Sequence, residues 1–201
     1  MSKKLKIIYS LAIIMSLLAI TMSFLTTSPI GAKNRDIIGR IKQKGTKINY
    51  PIVKGKNNTF YINHSASKKK SVKGAIFMDC YTNFSGKNCV IYGHDMADRS
   101  MFGSLNKYTS KKYAMKHKTF KIYRNKKWYK YKVISSFRAS LKSKFAYKIA
   151  FNNKTEYKSW YKKIIKKSKF KYKAKVKGDK VITLCTCCDR GSKRMLVYLS
   201  R

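Results

Sequence analysis

Three residues in this sequence carry the functional groups of a nucleophilic acyl-transfer site: the thiol of Cys187, the guanidinium of Arg194 and the imidazole of His94. Cys187 closes the run Thr183-Leu184-Cys185-Thr186-Cys187. It follows an apolar stretch, Val181 to Thr186, whose β-branched residues fit a pleated, half-buried strand. Cys188-Asp189-Arg190-Gly191-Ser192-Lys193 has the composition of a turn, and Met195 to Leu199 reads as a second apolar strand. Two strands joined by so short a loop pair antiparallel, with facing residues roughly 5 Å apart. Such a hairpin sets Arg194 beside Cys187. A thiolate next to a fixed cation is what a cysteine nucleophile requires.

A base must serve that nucleophile, and candidates are few: three histidines and seven carboxylates. His94 closes the strand-like Val90-Ile91-Tyr92-Gly93, where a side chain can reach a cleft; alone, it is balanced between a structural and a catalytic role. His64, followed by the loop Ser65-Ala66-Ser67, and His117, within lysine-rich Lys111 to Lys118, read as structural. The five cysteines are an odd number and do not make a disulfide framework. Cys185 and Cys187 stand two apart on one strand and Cys187 and Cys188 are adjacent, both poor disulfide geometries, so at least one thiol stays without an intramolecular partner. The competing reading is a metal site of Cys185, Cys187, Cys188 and a histidine. Its Cys-x-Cys-Cys spacing is not a usual zinc pattern and lacks a second ligand pair, so no metal or cofactor is expected.

Short strand-like segments separated by turn residues must position these groups. They are Ile37 to Gln43, Lys47 to Val53, Thr59 to Asn63, Gly74 to Met78, Asn88 to Tyr92, Thr119 to Arg124 and Lys127 to Phe137, besides the two C-terminal strands. Two helical stretches interrupt them. Met101 to Tyr108 puts Met101, Leu105 and Tyr108 on one face; Lys154 to Ser168 spaces Tyr157, Trp160, Tyr161 and Ile164 helically among lysines. That aromatic stripe reads as packing on the sheet rather than as a platform for bases. Many short strands with few helices argue for a mostly β barrel or sandwich.

The chain opens with Lys3, Lys4 and Lys6 and then an uncharged apolar run, Ile7 to Leu25, about long enough to cross a bilayer core as a helix. It reads as an uncleaved signal-anchor; cleavage near Thr26-Thr27-Ser28 is the alternative. The expected organisation is a cytoplasmic segment at 1–6, a transmembrane helix at 7–25, a linker at 26–35 and a soluble domain at 36–201. The first lysines point the N-terminus inward, but Lys33, Arg35, Arg40 and Lys42 crowd the other flank, so charge counting alone leaves orientation open.

Forty-eight basic residues against seven acidic give a formal charge of +41, mostly from lysine spread along the chain. Such a field attracts any polyanion. No nucleic-acid recognition motif accompanies it, so no specific nucleic-acid partner is expected. A solvated surface under a compositional bias is the favoured reading, with adhesion to anionic lipid or an anionic wall polymer second.

Asn88-Cys89-Val90-Ile91-Tyr92-Gly93-His94-Asp95-Met96 with Met101-Phe102-Gly103-Ser104-Leu105 resembles the histidine-bearing segment of class B sortases. Thr183-Leu184-Cys185-Thr186-Cys187 resembles their TLxTC signature, and Arg194-Met195-Leu196-Val197 their arginine-bearing last strand. Ile48 to Val53, Tyr61 to His64, Gly74 to Asp79 and the 154–168 helix match in order, so the resemblance runs from about Asp36 to Arg201. It departs at Cys185, where serine is more usual, at Cys80, where an aromatic is more usual, and in the short loop after Cys187, which makes Arg190 a substitute for Arg194. The helical extension that many class B members carry before the barrel is nearly absent.

The resemblance implies a closed sortase-type β-barrel behind one transmembrane helix, on the outer face of the cell membrane. It implies a cysteine transpeptidase that cleaves the sorting signal of surface proteins through a thioacyl-enzyme and passes them to a peptidoglycan cross-bridge amine. His94, Cys187 and Arg194 would be catalytic, with Thr186, Cys185 and Asn63 binding substrate. For Cys185 packing is the favoured alternative, and for Asn63 capping its own turn. A membrane-tethered cationic protein that binds wall polymer without catalysis is the second function.

Overall fold

The computed structural model describes residues 34–187, position 187 through its backbone alone, and 193–201. The apolar run 7–25 and the segment 188–192 with Cys188 and Arg190 lie outside the described residues. No helix among the described residues is long and apolar enough to cross a membrane.

The alternating segments form eight strands: β1 (Ile37–Lys42), β2 (Asn49–Val53), β3 (Ile76–Met78), β4 (Asn88–His94), β5 (Thr119–Arg124), β6 (Lys127–Ser140), β7 (Val181–Cys187) and β8 (Lys193–Ser200). They close into a barrel in the order β1-β2-β3-β4-β7-β8-β6-β5. Of the two architectures left open by the pattern of strands, the barrel is the one adopted. Closure removes free sheet edges. Two pairs are parallel, β2 with β3 and β4 with β7, and the rest antiparallel.

The barrel interior is packed by inward residues such as Ile41, Ile52, Ile76, Ile91, Leu184 and Val197, joined by Phe102, Leu105 and Tyr108. A second apolar layer lies on the outer face of β4, β7 and β8. There Val90, Cys185, Leu196 and Tyr198 meet Tyr157, Trp160 and Ile164 of the helix α2 (Lys154–Lys166). The indole N–H of Trp160 donates to the Phe145 carbonyl at 2.7 Å. Asn153 caps α2 by accepting from the Glu156 N–H, and Glu156 reaches back to the Asn152 N–H, a reciprocal capping arrangement. The aromatic stripe thus packs on the sheet.

One segment differs from the expectation, one keeps its helical character over shifted bounds, and one further helix is present. Thr59 to Asn63 forms a 3-10 turn, Phe60–Ile62, because the Asn57 side-chain oxygen accepts the N–H groups of Thr59 and Phe60 and bends the chain. Met101 to Tyr108 becomes a 3-10 helix, Gly103–Thr109, seated so closely on the Met96 backbone that position 103 has no room for a Cβ. Lysine-rich 111–118 holds a short helix, α1 (Lys111–Lys116), capped by Ser110.

His117 follows α1 and is only 8% exposed, stacked 4.1 Å from the Tyr113 ring. Its carbonyl accepts from the Gln43 amide at 2.9 Å and from the Tyr108 hydroxyl at 2.5 Å. Burial holds its imidazole below the ordinary value of 6.5, and Lys116 and Lys107 push the same way against an opposing backbone hydrogen bond with Lys44. The unfolded chain therefore binds more protons here than the folded one as pH falls through 6.5. The urea midpoint is expected to drop between about pH 7 and pH 5.5, and less steeply in His117→Gln. An equal drop in both proteins contradicts this account.

Candidate active site

The parallel pairing of β4 with β7 runs from Asn88 opposite Val181 to His94 opposite Cys187. Cys89 and Ile91 face the barrel interior and Val90 faces the outer layer, so alternation puts position 94 on the outer face. On β7, Ile182 and Leu184 are interior and Val181 and Cys185 outer, and position 187 falls with the outer set. On β8, Met195, Val197 and Leu199 are interior and Leu196 and Tyr198 outer, which places Arg194 outside as well. Cys185 pairs with Leu196, and two residues further along position 187 stands level with Arg194. Neighbouring strands lie about 4.8 Å apart. His94 and Arg194 therefore occupy the strands on either side of position 187, on one face and at one end of the barrel.

His94 is 7% exposed, and its Nε2 lies 2.6 Å from the Ile62 carbonyl. A carbonyl only accepts, so it is an Nε2–H that makes this bond. The backbone is held too: the His94 carbonyl accepts the Phe102 N–H at 2.9 Å, and Asp95 bridges to Met101. One residue earlier, a Cβ on Gly93 would meet Ile76 Cδ1 and come within 2.8 Å of the Phe102 ring. Only glycine lets β4 approach this closely.

Arg194 is half-buried, and its Nη1 donates to the Thr186 carbonyl at 3.2 Å. Thr186 is fully buried, and its hydroxyl accepts the Met195 N–H at 3.0 Å. A side chain thus replaces a ladder carbonyl where the hairpin opens.

A surface cavity of about 280 Å³ adjoins these residues, lined by Asn58, Ile62, Phe77, Tyr92, Leu141, Tyr147 and Arg194. The Asp79 carboxylate accepts from the Asn58 amide at 2.9 Å and from the Tyr92 hydroxyl at 3.1 Å, which fixes two of the lining side chains. Sequence reasoning missed Asn58, Phe77, Tyr92, Leu141 and Tyr147. Tyr92 stands two residues before His94 on the same face, so strand period would have found it; the others reach the cavity from separate segments.

Of the residues the resemblance assigned to substrate, Cys185 is fully buried in the outer layer between Leu196 and Tyr198, packed rather than open to a groove. Thr186 sits inside the hairpin as described. Asn63 is exposed beside Ile62, outside the cavity lining, with its carbonyl accepting the Ser71 N–H at 2.9 Å. His64 stacks on Phe60 at 4.0 Å and contacts its carbonyl, a local role. Burial pushes the Cys89 thiol up to about 12, which makes it inert. Among the described residues no three His, Cys, Asp or Glu side chains are grouped to hold a metal.

Residues 41–201 match the Sortase domain family model. Sortase B of Staphylococcus aureus is 32% identical over 170 residues, covering 82% of this chain and 69% of that protein. This chain belongs to the sortase family, in class B. Sortase B of Listeria monocytogenes is 34% identical over 159 residues, 77% of this chain; the match spans 63% of that relative's length. Among solved structures, a Staphylococcus aureus sortase B–substrate complex superposes with a TM-score of 0.79 at 30% identity, covering 84% of this chain and 80% of that one. Sortase B from B. anthracis gives 0.78 at 31% identity, covering 86% and 82%. The barrel of this sortase is therefore the barrel of its class.

Because Gly93 precedes His94 without space for a methyl group, Gly93→Ala is expected to destabilise the barrel by about 1–3 kcal/mol. Thermal unfolding measures the loss. Wild-type stability in that variant would contradict the close packing of β4.

Proposed function

We propose that this chain is a sortase-type cysteine transpeptidase acting on the sorting signals of surface proteins. The observation that carries the reading is the register of β4, β7 and β8, which sets Cys187 between His94 and Arg194 beside a cavity of about 280 Å³. The family it belongs to includes a sortase B solved as a substrate complex, which supports substrate binding by this fold.

The Cys187 thiolate attacks the carbonyl of a threonine in the sorting signal, forming the C–S bond of a tetrahedral intermediate. His94, as imidazolium, gives a proton to the departing amine as the C–N bond breaks and leaves a thioacyl-enzyme. The incoming amine of a peptidoglycan cross-bridge then attacks the thioacyl carbonyl and gives a proton to the neutral imidazole; the new C–N bond forms, the C–S bond breaks and the Cys187 thiolate is released. Arg194 donates to the oxyanion or holds the substrate backbone; its charge is permanent and its donors several. Its bond to the Thr186 carbonyl holds the guanidinium at the mouth of the hairpin.

The setting follows from the chemistry. Sorting signals and cross-bridge amines are met outside the membrane, so residues 1–6 lie in the cytoplasm, 7–25 span the bilayer, 26–35 form a linker and the barrel faces outward. The alternative, a tethered cationic protein without catalysis, requires none of the three aligned positions.

Incubation of the protein with a sorting-signal peptide tests the reading. Cys187→Ala is expected to abolish cleavage while Cys188→Ala retains it; cleavage that survives in Cys187→Ala refutes the nucleophile. Arg194→Ala is expected to lower kcat about 100-fold or more, as loss of one oxyanion donor does. Arg190→Ala should cost far less, and the reverse order would transfer the role to Arg190.

A further inference from the structure

Between α2 and β7 the chain runs Lys169-Phe170-Lys171-Tyr172-Lys173-Ala174-Lys175-Val176-Lys177. It alternates as a strand does, yet it joins no strand of the barrel. All five lysines are exposed and all four intervening residues are half-buried. Phe170 and Tyr172 pack against the barrel core, Ala174 and Val176 against the outer layer. The segment follows β6 downward: the Lys169 N–H donates to the Ser136 carbonyl at 3.0 Å, Lys132 Nζ to the Lys175 carbonyl at 3.4 Å, and the Lys177 N–H to the Arg201 carbonyl at 3.2 Å.

Two residues of chain span at most roughly 7 Å, less than the screening length of about 8 Å at physiological salt. The lysines therefore repel one another. The ion pairs among the described residues, Lys68–Asp36, Lys73–Asp98 and Lys148–Glu156, draw on none of them.

The row ends at a cavity of about 460 Å³ whose lining includes Arg124, Lys130, Lys177, Lys180 and Arg201 with the side-chain carboxylate of Asp179. Arg124 and Arg201 each hold their guanidinium carbon 4.6 Å from the centre of the Tyr129 ring. Arg124 Nε also donates to the Tyr131 hydroxyl at 3.2 Å. Each guanidinium is held in place by these contacts and offers several donors suited to phosphate oxygens. The cavity lies where β7 begins and β8 ends, at the opposite end of the barrel from His94 and position 187.

We propose that the 169–177 lysine row and the Arg124–Arg201 cavity form one track that binds a linear phosphodiester polymer without bases. A row of lysines at two-residue spacing that ends in a concave pocket suits a threadlike polyanion better than the plane of a lipid surface. The aromatic residues of the row face inward. The two that line the cavity, Phe84 and Tyr131, are engaged by Arg124, whose guanidinium carbon lies 5.5 Å from the Phe84 ring and whose Nε donates to the Tyr131 hydroxyl. The stacking platform of single-stranded nucleic acid is not offered along the track. Bound there, the polymer leaves the groove beside His94 open. That such a polymer is met in the cell envelope rests on the placement proposed above; the binding itself does not.

The test titrates poly(glycerol phosphate) against the full chain in detergent micelles over a range of salt. Lys171→Gln/Lys173→Gln/Lys175→Gln is compared with Lys111→Gln/Lys112→Gln/Lys116→Gln on α1, which removes the same charge elsewhere. The row variant is expected to raise Kd about ten-fold or more and to make the log–log salt slope shallower by about 2, against under about three-fold for the α1 variant. Arg201→Gln should also weaken binding about ten-fold. Equal losses in the row and α1 variants overturn the proposal. So does tighter binding of single-stranded DNA with the same number of phosphates, or of phosphatidylglycerol vesicles. Cys187→Ala should bind the polymer as wild type does, so a failed peptide assay and a failed polymer titration are separate results.

Discussion

The parallel pairing of β4 with β7 is the interaction on which the rest of this molecule depends. Parallel strands cannot be joined by a tight turn, so the chain between them must leave the barrel and return. It does so through β5, β6, α1 and α2, and α2 then covers the outer face of the pair it separates. Parallel pairing also puts both strand ends at one rim, which is why a histidine near position 90 and a cysteine near position 190 of the chain become neighbours. A register slip of one residue would move His94 or Cys187 to the other face of its strand.

That register is secured by different means on each side. On β4, Gly93 allows close approach of Ile76 and Phe102, and the Phe102 N–H anchors the His94 carbonyl. On β7, Thr183 donates to the Asn88 side chain at 2.7 Å, across the pair, and Thr186 takes the Met195 N–H. The two threonines of the Thr-Leu-Cys-Thr-Cys run thus hold the strand to its neighbours, one on each side. The motif is as much a description of strand geometry as of chemistry.

Residue type and spacing made much of this legible. Val181 to Thr186 and Met195 to Leu199 are legible as strands from their β-branched and apolar residues, though a run apolar throughout does not mark its faces, and the Tyr157, Trp160 and Ile164 spacing marks α2. Segments shaped by side-chain to backbone bonds were not legible: Asn57 turns Thr59 to Asn63 into a 3-10 turn, and Ser110 starts α1 among lysines. The site divided in the same way. His94 and Arg194 stand out by residue type and place in a strand. Asn58, Phe77, Leu141 and Tyr147 are ordinary residues brought to one cavity by separate segments, and no local pattern marks them. Cys185 could be read two ways because it shares a strand face with position 187; its burial among Leu196, Tyr198 and α2 is the packing that the sequence favoured.

Ile62 joins two things usually considered apart. Its carbonyl holds the imidazole of His94, and the same residue forms part of the wall of the adjoining cavity. The wall and the hinge pin of the ring are one residue. Any shift of Ile62 therefore reshapes the cavity and moves the acceptor of the imidazole together, so the form of the pocket and the orientation of the ring are a single mechanical variable.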